Sequence, residues 1–486
     1  MTFKYHLAEI IQAVQIDVPE NKRIPFNWQA VGVGGSQSLT VRMGWTDKAV
    51  PVLLGAESVQ LRITAALDVR ETILLEAVTA KSHRQVGIFD IRYASTLQPF
   101  EIQLIPDDWE AVIEEGIELR MQEGSLPFWI LVPDSALCDQ ASLLFPHLLI
   151  SDSESAQQSA RDQPLLHTLS SLSSLQPFGW LEGCVLDGLM DLSQALGEPR
   201  FEDAARAHLA LYLDENNNLK YEDPLSEPSD GKVYGIEGTL PFAAWARLQP
   251  DHPVMEQAIS LWMSHIREDG AICGTGMLSA EGSYTVAYPM AVLARVRQDV
   301  GLAEMAVRQL EVRRQLLTKS EGDLYLRCYT NGSLTFRHWA RAHAWYLLGL
   351  IRTLMELREA GHSSVGADRC ASEFVRAANV ALSYQSTDGL WSVFLDEPST
   401  GSDTSGSAGI AAALALGANF GLLPEHARLA AERALEALLS FLTPDGILRH
   451  VAQSNKGGEA LQRSGYRVMF QMATGLLGQL YAALQR

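Results

Sequence analysis

Positive charge is what this chain has least of. Against 58 aspartates and glutamates stand 38 lysines and arginines, a formal net charge of −20 over 486 residues. Nucleic acid and anionic membrane surfaces are bound through basic stripes, so an excess of this sign excludes both as expected partners. An anionic ligand would have to be held by local positive groups. Cysteine is also sparse: Cys138, Cys184, Cys273, Cys328 and Cys370 are odd in number, scattered and without C-x-x-C spacing. That argues against a disulfide framework or a zinc site and leaves buried apolar thiols. Ligand spacings such as H-E-x-x-H are missing, so no metal and no cofactor is expected. No apolar run reaches the roughly 20 residues that cross a bilayer. The stretch Met1 to His6 lacks the charged segment, apolar core and cleavage site of a secretory leader. A cytoplasmic protein is the expectation.

What is present is enough apolar sequence, 47% of residues, for a large core, and a length that suggests two or three domains. From Ile24 to Leu104, β-branched residues alternate in short runs, such as Ser38 to Met43 and Val59 to Thr64, broken by Gly, Asp and Asn. This predicts an antiparallel β-sandwich within residues 1–150. The stretch from Asp107 to Gln122 reads as a helix, and the apolar run Leu126 to Val132 has no evident place. Residues 151–176, rich in Ser and Gln, read as a linker or a loosely packed first helix.

Residues 177–486 are of another kind. Helical periods cover segments near 180–196, 200–213, 237–248, 254–267, 284–299, 302–317, 337–359, 367–385, 405–420, 425–442 and 464–484. A turn of Asp, Asn or Glu with Gly before an apolar residue recurs at Asn216–Leu219, Asp269–Ile272, Glu321–Leu324, Asp388–Trp391 and Asp445–Leu448. Its spacing of roughly 50–65 residues is one helical hairpin with its loops. Hairpins at that period need neighbours on both sides. Six of them closing into an (α/α)6 toroid fit the count, with inner helices apolar and aromatic all round. An open HEAT-like superhelix is the alternative, with shorter repeats.

The candidate site lies in His338-Trp339-Ala340-Arg341-Ala342-His343-Ala344-Trp345, followed by Asp388-Gly389-Leu390-Trp391 and Asp403-Thr404-Ser405-Gly406-Ser407-Ala408. Aromatics stack on the C–H face of a pyranose, and a guanidinium grips a carboxylate in bidentate fashion. These residues also carry a resemblance. The run Trp339 to Leu350 resembles the W-x-R-G-[QN]-[AG]-W segment of glycoside hydrolase families 88 and 105, the unsaturated uronyl hydrolases. Asp388–Trp391 with Leu395-Asp396-Glu397-Pro398 resembles their D-G-L-W…D-x-P loop, and Asp403–Ala408 their [ED]-[ST]-S-[AG]-[ST]-A helix start. Phe178 to Gly183 is similar to the start of their first hairpin. The resemblance spans about the last two thirds of the chain, without the sandwich.

It implies an (α/α)6 toroid that removes a 4,5-unsaturated uronic acid from an oligosaccharide end by protonating its vinyl ether and adding water. The families' two catalytic aspartates lie in N-x-D and W-x-D-x-[LF]-x-M-x-x-P segments. Here the first falls on Gly235-Ile236-Glu237. In the second, counting back from Pro289 lands on Gly282, with Glu281 one residue earlier. Glu237 and Glu281 are therefore the candidate catalytic pair, glutamate being a competent general acid when burial raises its pKa. Read without the resemblance, each is a helix N-terminal carboxylate favoured by the dipole.

Trp339, Arg341, His343, Trp345, Trp391 and Ser405 are the candidate substrate-binding residues. Arg341 clamps a uronate carboxylate or forms a structural salt bridge, and His343 stands where the families have an amide. Trp339 and Trp391 are sugar platforms or core, while Trp345 reads more as core. Arg337, His338, Arg449, His450 and Arg467 read as rim charges in solvent. Lys456-Gly457-Gly458 lacks the phosphate-loop pattern and reads as a flexible substrate loop. The expected partner is an oligosaccharide containing uronic acid, with a homo-oligomer left open. A saturated β-glucuronidase and a non-catalytic carbohydrate-binding protein are the alternative functions.

Overall fold

The structure, a computed structural model, describes residues 3–45, 56–133, 142–152, 162–274, 276–319 and 322–486. Cys138, Glu321 and much of the Ser- and Gln-rich stretch lie outside these.

The N-terminal part is built from antiparallel strands. Phe3–Leu7, His147–Asp152, Ala56–Thr64 and Pro99–Leu104 form one sheet in that order. Glu9–Ala13, Val41–Gly44, Ile117–Glu123, Thr72–Thr79 and Gln85–Arg92 form a second. Alternate residues of each, among them Val41, Met43, Leu61, Ile63, Leu75, Ala77, Ile91 and Leu119, bury into one core, as a two-faced sheet requires. The helix expected to reach Gln122 spans only Pro106–Glu115. Gly116, at φ 78°, ends it, and Ile117–Glu123 becomes a strand because its alternate residues pair between two partners of the second sheet. The unplaced apolar run contains the strand Phe128–Leu131, paired with Ala30–Val33.

The remainder closes into a ring. Trp180–Leu196, Pro241–Leu248, Tyr288–Arg297, Ala340–Glu359, Thr404–Asn419 and Gln471–Gln485 are the inner helices, each packing on the next and the last on the first. Pro199–Leu211, Met255–Ser264, Val300–Leu317, Val365–Ser383, Glu425–Leu439 and Gln163–Leu169 lie outside them. The last of these supplies the twelfth helix from the Ser- and Gln-rich stretch. The recurrent turns return the chain inward after an outer helix, through the hydrogen bonds Asp214 N to Asn218 O, Arg267 N to Ala271 O, Ser386 N to Leu390 O and Thr443 N to Ile447 O. Among the described residues no helix is long and apolar enough to cross a membrane.

The inner helices are not apolar all round. Asp187 accepts hydrogen bonds from the hydroxyls of Tyr284 and Tyr288. Arg352 pairs with Asp191 and donates to Gln479 Oε1. All are buried. A ring of six helices leaves a wide centre, and long polar side chains that satisfy one another fill it without an orphaned charge.

The two parts are joined by a buried ion pair. Arg62, on the central strand Ala56–Thr64, grips Asp445 of the last recurrent turn at 2.6 and 3.1 Å, both residues having no solvent exposure. Glu101 accepts from the same guanidinium at 3.0 Å, and Tyr5 donates to Asp445 at 3.2 Å. The adjoining Gly446, at φ 97°, lies so close to Pro164 that a side chain would overlap its backbone. Burial raises the Asp445 carboxyl, but the Arg62 charge and its hydrogen bonds outweigh it and hold the pKa at about 2. Removing one partner strands the other in a dry interface, so Arg62→Met is expected to cost about 3–5 kcal/mol in urea unfolding. The contribution is complete above the ordinary carboxylate value of 3.8 and fades as pH falls toward 2. Equal stability of variant and parent at pH 7 would contradict it.

Candidate active site

The inner helices start at one rim. Glu237 lies in the short 3-10 turn Ile236–Thr239 that leads into Pro241–Leu248. Glu281 precedes the π turn Ser283–Ala287 that leads into Tyr288–Arg297. Trp339 caps Ala340–Glu359, and Asp403 caps Thr404–Asn419 by accepting from the backbone of Ser405 and Gly406 at 3.1 Å. Converging helix N-termini make this mouth locally positive in an otherwise acidic chain.

Glu237 and Glu281 meet there, from adjacent hairpins. Burial, the facing charge of Glu281 and a hydrogen bond between the two side chains raise the Glu237 carboxyl to about 8. Arg327 and Lys456 pull it the other way, by less. Two carboxyl groups in contact disfavour a second charge, and it is the Glu237 carboxyl that is raised. Asn455 donates to Glu281 Oε1 at 3.4 Å. The Tyr234 hydroxyl, in the field of both glutamates, is buried without a hydrogen-bond partner among the described residues. A cavity beside it is lined by Trp180, Pro224, Tyr234 and Lys456 from the ring and by Ser95 and Thr96 from the β-domain.

The absence of a carboxylate at 282 has a steric cause. A β-carbon on Gly282 would overlap the guanidinium of Arg313. That guanidinium cannot swing away freely. It is fully buried and donates to Ser279 O and Gln309 O at 3.1 Å and to Ile272 O at 2.7 Å. The carboxylate of this segment is that of Glu281, one residue earlier.

Arg341 is buried with no ion pair among the described residues. It donates to Gln453 O and lies 4.5 Å over the Trp339 ring, while Nε and Nη1 have no partner. Burial lowers its pKa, and Asp403 and Glu281 partly restore it. A guanidinium with two unused donors, so placed, suits an incoming carboxylate. Trp345 closes the floor, stacked on Tyr284 at 6.0 Å and edge-on to Trp180 at 5.6 Å.

Other expected binders are placed differently. Trp339 is buried, one face covered by Arg341 and its indole N–H donated to Gln462, so it supports the arginine instead of offering a platform. Trp391 is fully buried and donates to Ala381 O at 2.7 Å in the wall between helices. Ser405 is buried in the Asp403 cap, donating to Asp403 Oδ1 at 2.7 Å. His343 is buried and packs on His338, which is itself buried and not a solvated rim residue. Burial, His338 and Arg376 hold His343 down at about 3, so it is neutral. Its Nε2 lies 3.2 Å from His338 Nδ1, and its Nδ1 has no partner.

Sequence reasoning missed Tyr234, Asn455 and the β-domain residues Ser95 and Thr96, none of which stands in a pattern. Lys456 is no free loop residue either. Burial, then Arg70, push its amine down to about 8, and it donates to Pro224 O at 3.4 Å.

These six helical hairpins, closed on one another, define a six-hairpin toroid. The model of Glycosyl Hydrolase Family 88 matches residues 153–482, more than half of the chain, which belongs to that family. No curated protein matches it. Among solved structures, a possible member of the GH105 family from Salmonella enterica serovar Paratyphi A is 15% identical, with a TM-score of 0.58 over 68% of this chain and 96% of that one. A family 105 glycoside hydrolase of C. acetobutylicum is 16% identical, with a TM-score of 0.56 over 67% and 98%. An unsaturated glucuronyl hydrolase specific for heparin is 14% identical, with a TM-score of 0.50 over 66% and 94%. The shared fold is the ring.

Placing aspartate at 282 is expected to fail while Arg313 is present. Gly282→Asp should lose about 1–3 kcal/mol to overpacking, read by thermal melting, and the Gly282→Asp/Arg313→Ala double variant should regain part of it. A single variant as stable as the parent would show that the guanidinium is not fixed there.

Proposed function

We propose that this glycoside hydrolase releases a terminal 4,5-unsaturated uronic acid from oligosaccharides, with Glu237 and Glu281 as its acid and base. The observation that carries the reading is the contact of the Glu237 and Glu281 carboxyl groups near Arg341, a buried cation with unused donors. In this reading Arg341 takes the uronate carboxylate. The protonated glutamate delivers its proton to C4 of the C4=C5 bond, and a water, losing a proton to the partner carboxylate, adds its oxygen to C5. The resulting hemiketal opens the ring, and the hemiacetal left at C1 expels the neighbouring sugar. One proton is given and one returned, so the pair is restored. Family membership and the similarity to an unsaturated glucuronyl hydrolase support the substrate class.

The direct test follows the ultraviolet absorbance of the alkene in lyase-generated unsaturated disaccharides. Loss of absorbance with release of the second sugar is expected. Unchanged absorbance, with release of glucuronate from saturated β-glucuronides, would move the chemistry to the saturated substrate, and binding without turnover of either would leave a carbohydrate-binding protein. Within the first outcome, Arg341→Lys should raise KM about tenfold, because an ammonium cannot reproduce the bidentate grip.

The carboxyl pair also sets a pH dependence. Glu237 must be protonated to act, so activity should fall as pH rises through about 8. A carboxyl that titrates higher folded than unfolded favours the folded state at low pH, and stability declines between the ordinary value of 4.5 and about 8. Glu237→Gln should abolish turnover yet raise the melting temperature at pH 9 more than at pH 4. An equal shift at both would contradict the buried-acid assignment.

A further inference from the structure

The β-domain lies outside the ring that the solved relatives share, yet it holds the segment that delivers Glu237. That segment, Tyr221 to Asp230, follows the first hairpin. Arg23 pairs with Glu222 and, in bidentate fashion at 2.7 and 2.8 Å, with Asp230. It also donates to Tyr221 O at 2.9 Å, and its backbone N–H reaches Ser226 O at 3.0 Å. Ser226 is buried at φ 60°, a conformation that costs a non-glycine residue energy and persists only where surroundings enforce it. What enforces it is the β-domain. Asp68 N donates to Ser226 Oγ at 2.8 Å, Thr96 Oγ1 lies 2.9 Å from the same oxygen, and Arg70 donates to Pro224 O at 2.8 Å. The grip passes on through Tyr221, whose hydroxyl accepts from Tyr234 N at 2.9 Å and donates to Lys232 O at 3.0 Å, three residues before Glu237 in the case of Tyr234. Ser95 and Thr96 also line the cavity beside Tyr234.

We infer that the β-domain is a working part of the catalytic centre, with Ser226 and Arg23 as positioning residues that hold the Tyr221–Asp230 loop, and through it Glu237, against Glu281. This rests on the reading of Glu237 as the acid. The charged and titratable groups around Glu237 are Glu281, Tyr234, Arg327 and Lys456, with Asp223 acting on Tyr234 and Lys456. Of these, Tyr234, Lys456 and Asp223 lie on or against the gripped loop, so its release should admit water and shift the acid.

The experiment uses the full chain carrying Ser226→Ala, Arg23→Gln, or both. The double variant should melt as one cooperative unit like the parent, with kcat on unsaturated disaccharides reduced about tenfold and KM changed less than about twofold. Titration of 13C-labelled glutamate carboxyls, with Glu237 assigned by Glu237→Gln, should show its apparent pKa lowered by about one unit as water reaches it. Tyr466→Phe is the control: it removes the hydroxyl that donates to Asp90 O at 2.8 Å in the same domain interface, away from the loop. Parent-like kcat and titration in the double variant would overturn the inference, as would an equal effect from the control. If the parent turns over no unsaturated substrate, the functional reading fails separately, and the Glu237 titration still decides whether the grip exists.

Discussion

The pairing of Arg62 with Asp445 sets the relation between the two halves of this protein. Neither charge has access to water, so each requires the other, and the pair has one geometry only. It fixes the central strand of a sheet on the last turn of a helical ring. The β-domain also reaches the mouth elsewhere, where Asp68, Arg70 and Thr96 meet the loop after the first hairpin. An appended domain attached by exposed contacts would leave that loop to move. Here Ser226 at its centre is buried and hydrogen-bonded to Asp68 and Thr96.

Charge at the mouth runs against the charge of the chain. The chain is acidic overall, and the mouth sets against this the inner-helix N-termini, a buried arginine without a carboxylate partner among the described residues and the half-buried amine of Lys456. The same dehydrated setting raises the carboxyl of Glu237 and lowers the amine of Lys456 toward a common range near neutrality. Proton position, and not net charge, is then the variable the site controls.

Much of the fold was legible because it is periodic. Helical spacing and the recurrent Asp-Gly turns mark the hairpins one by one, and the ring follows from their number. The helix expected through Gln122 failed because tertiary pairing overrides local pattern: Ile117–Glu123 is held between two strands that lie far away in sequence. The polar axis of the ring was not visible either, since Asp187 and Arg352 find their partners on other helices. At the site, motif resemblance led to Glu237, Glu281 and Arg341. It did not separate Trp339, Trp391 and Ser405 from them, because what turns these side chains into the wall or the cap is their bonding to Gln462, Ala381 and Asp403. Gly282 shows the limit most sharply. Why it is glycine depends on Arg313, far on in the sequence and reaching back from an outer helix.

The closure of the ring has a consequence for how the chain reaches this state. Tyr5 bonds to a residue 440 positions away, and helix Gln471–Gln485 packs on Trp180–Leu196 and on Gln163–Leu169. Contacts of such separation form after the local hairpins, since the entropy of closing the intervening loop must be met first. The hairpins can assemble in order as an open arc, but the mouth does not exist until the last inner helix docks and the Asp445 turn seats on the sheet. The site is thus among the final features of the molecule to form, and an incompletely folded chain carries Glu237 and Glu281 without the surroundings that raise the Glu237 carboxyl.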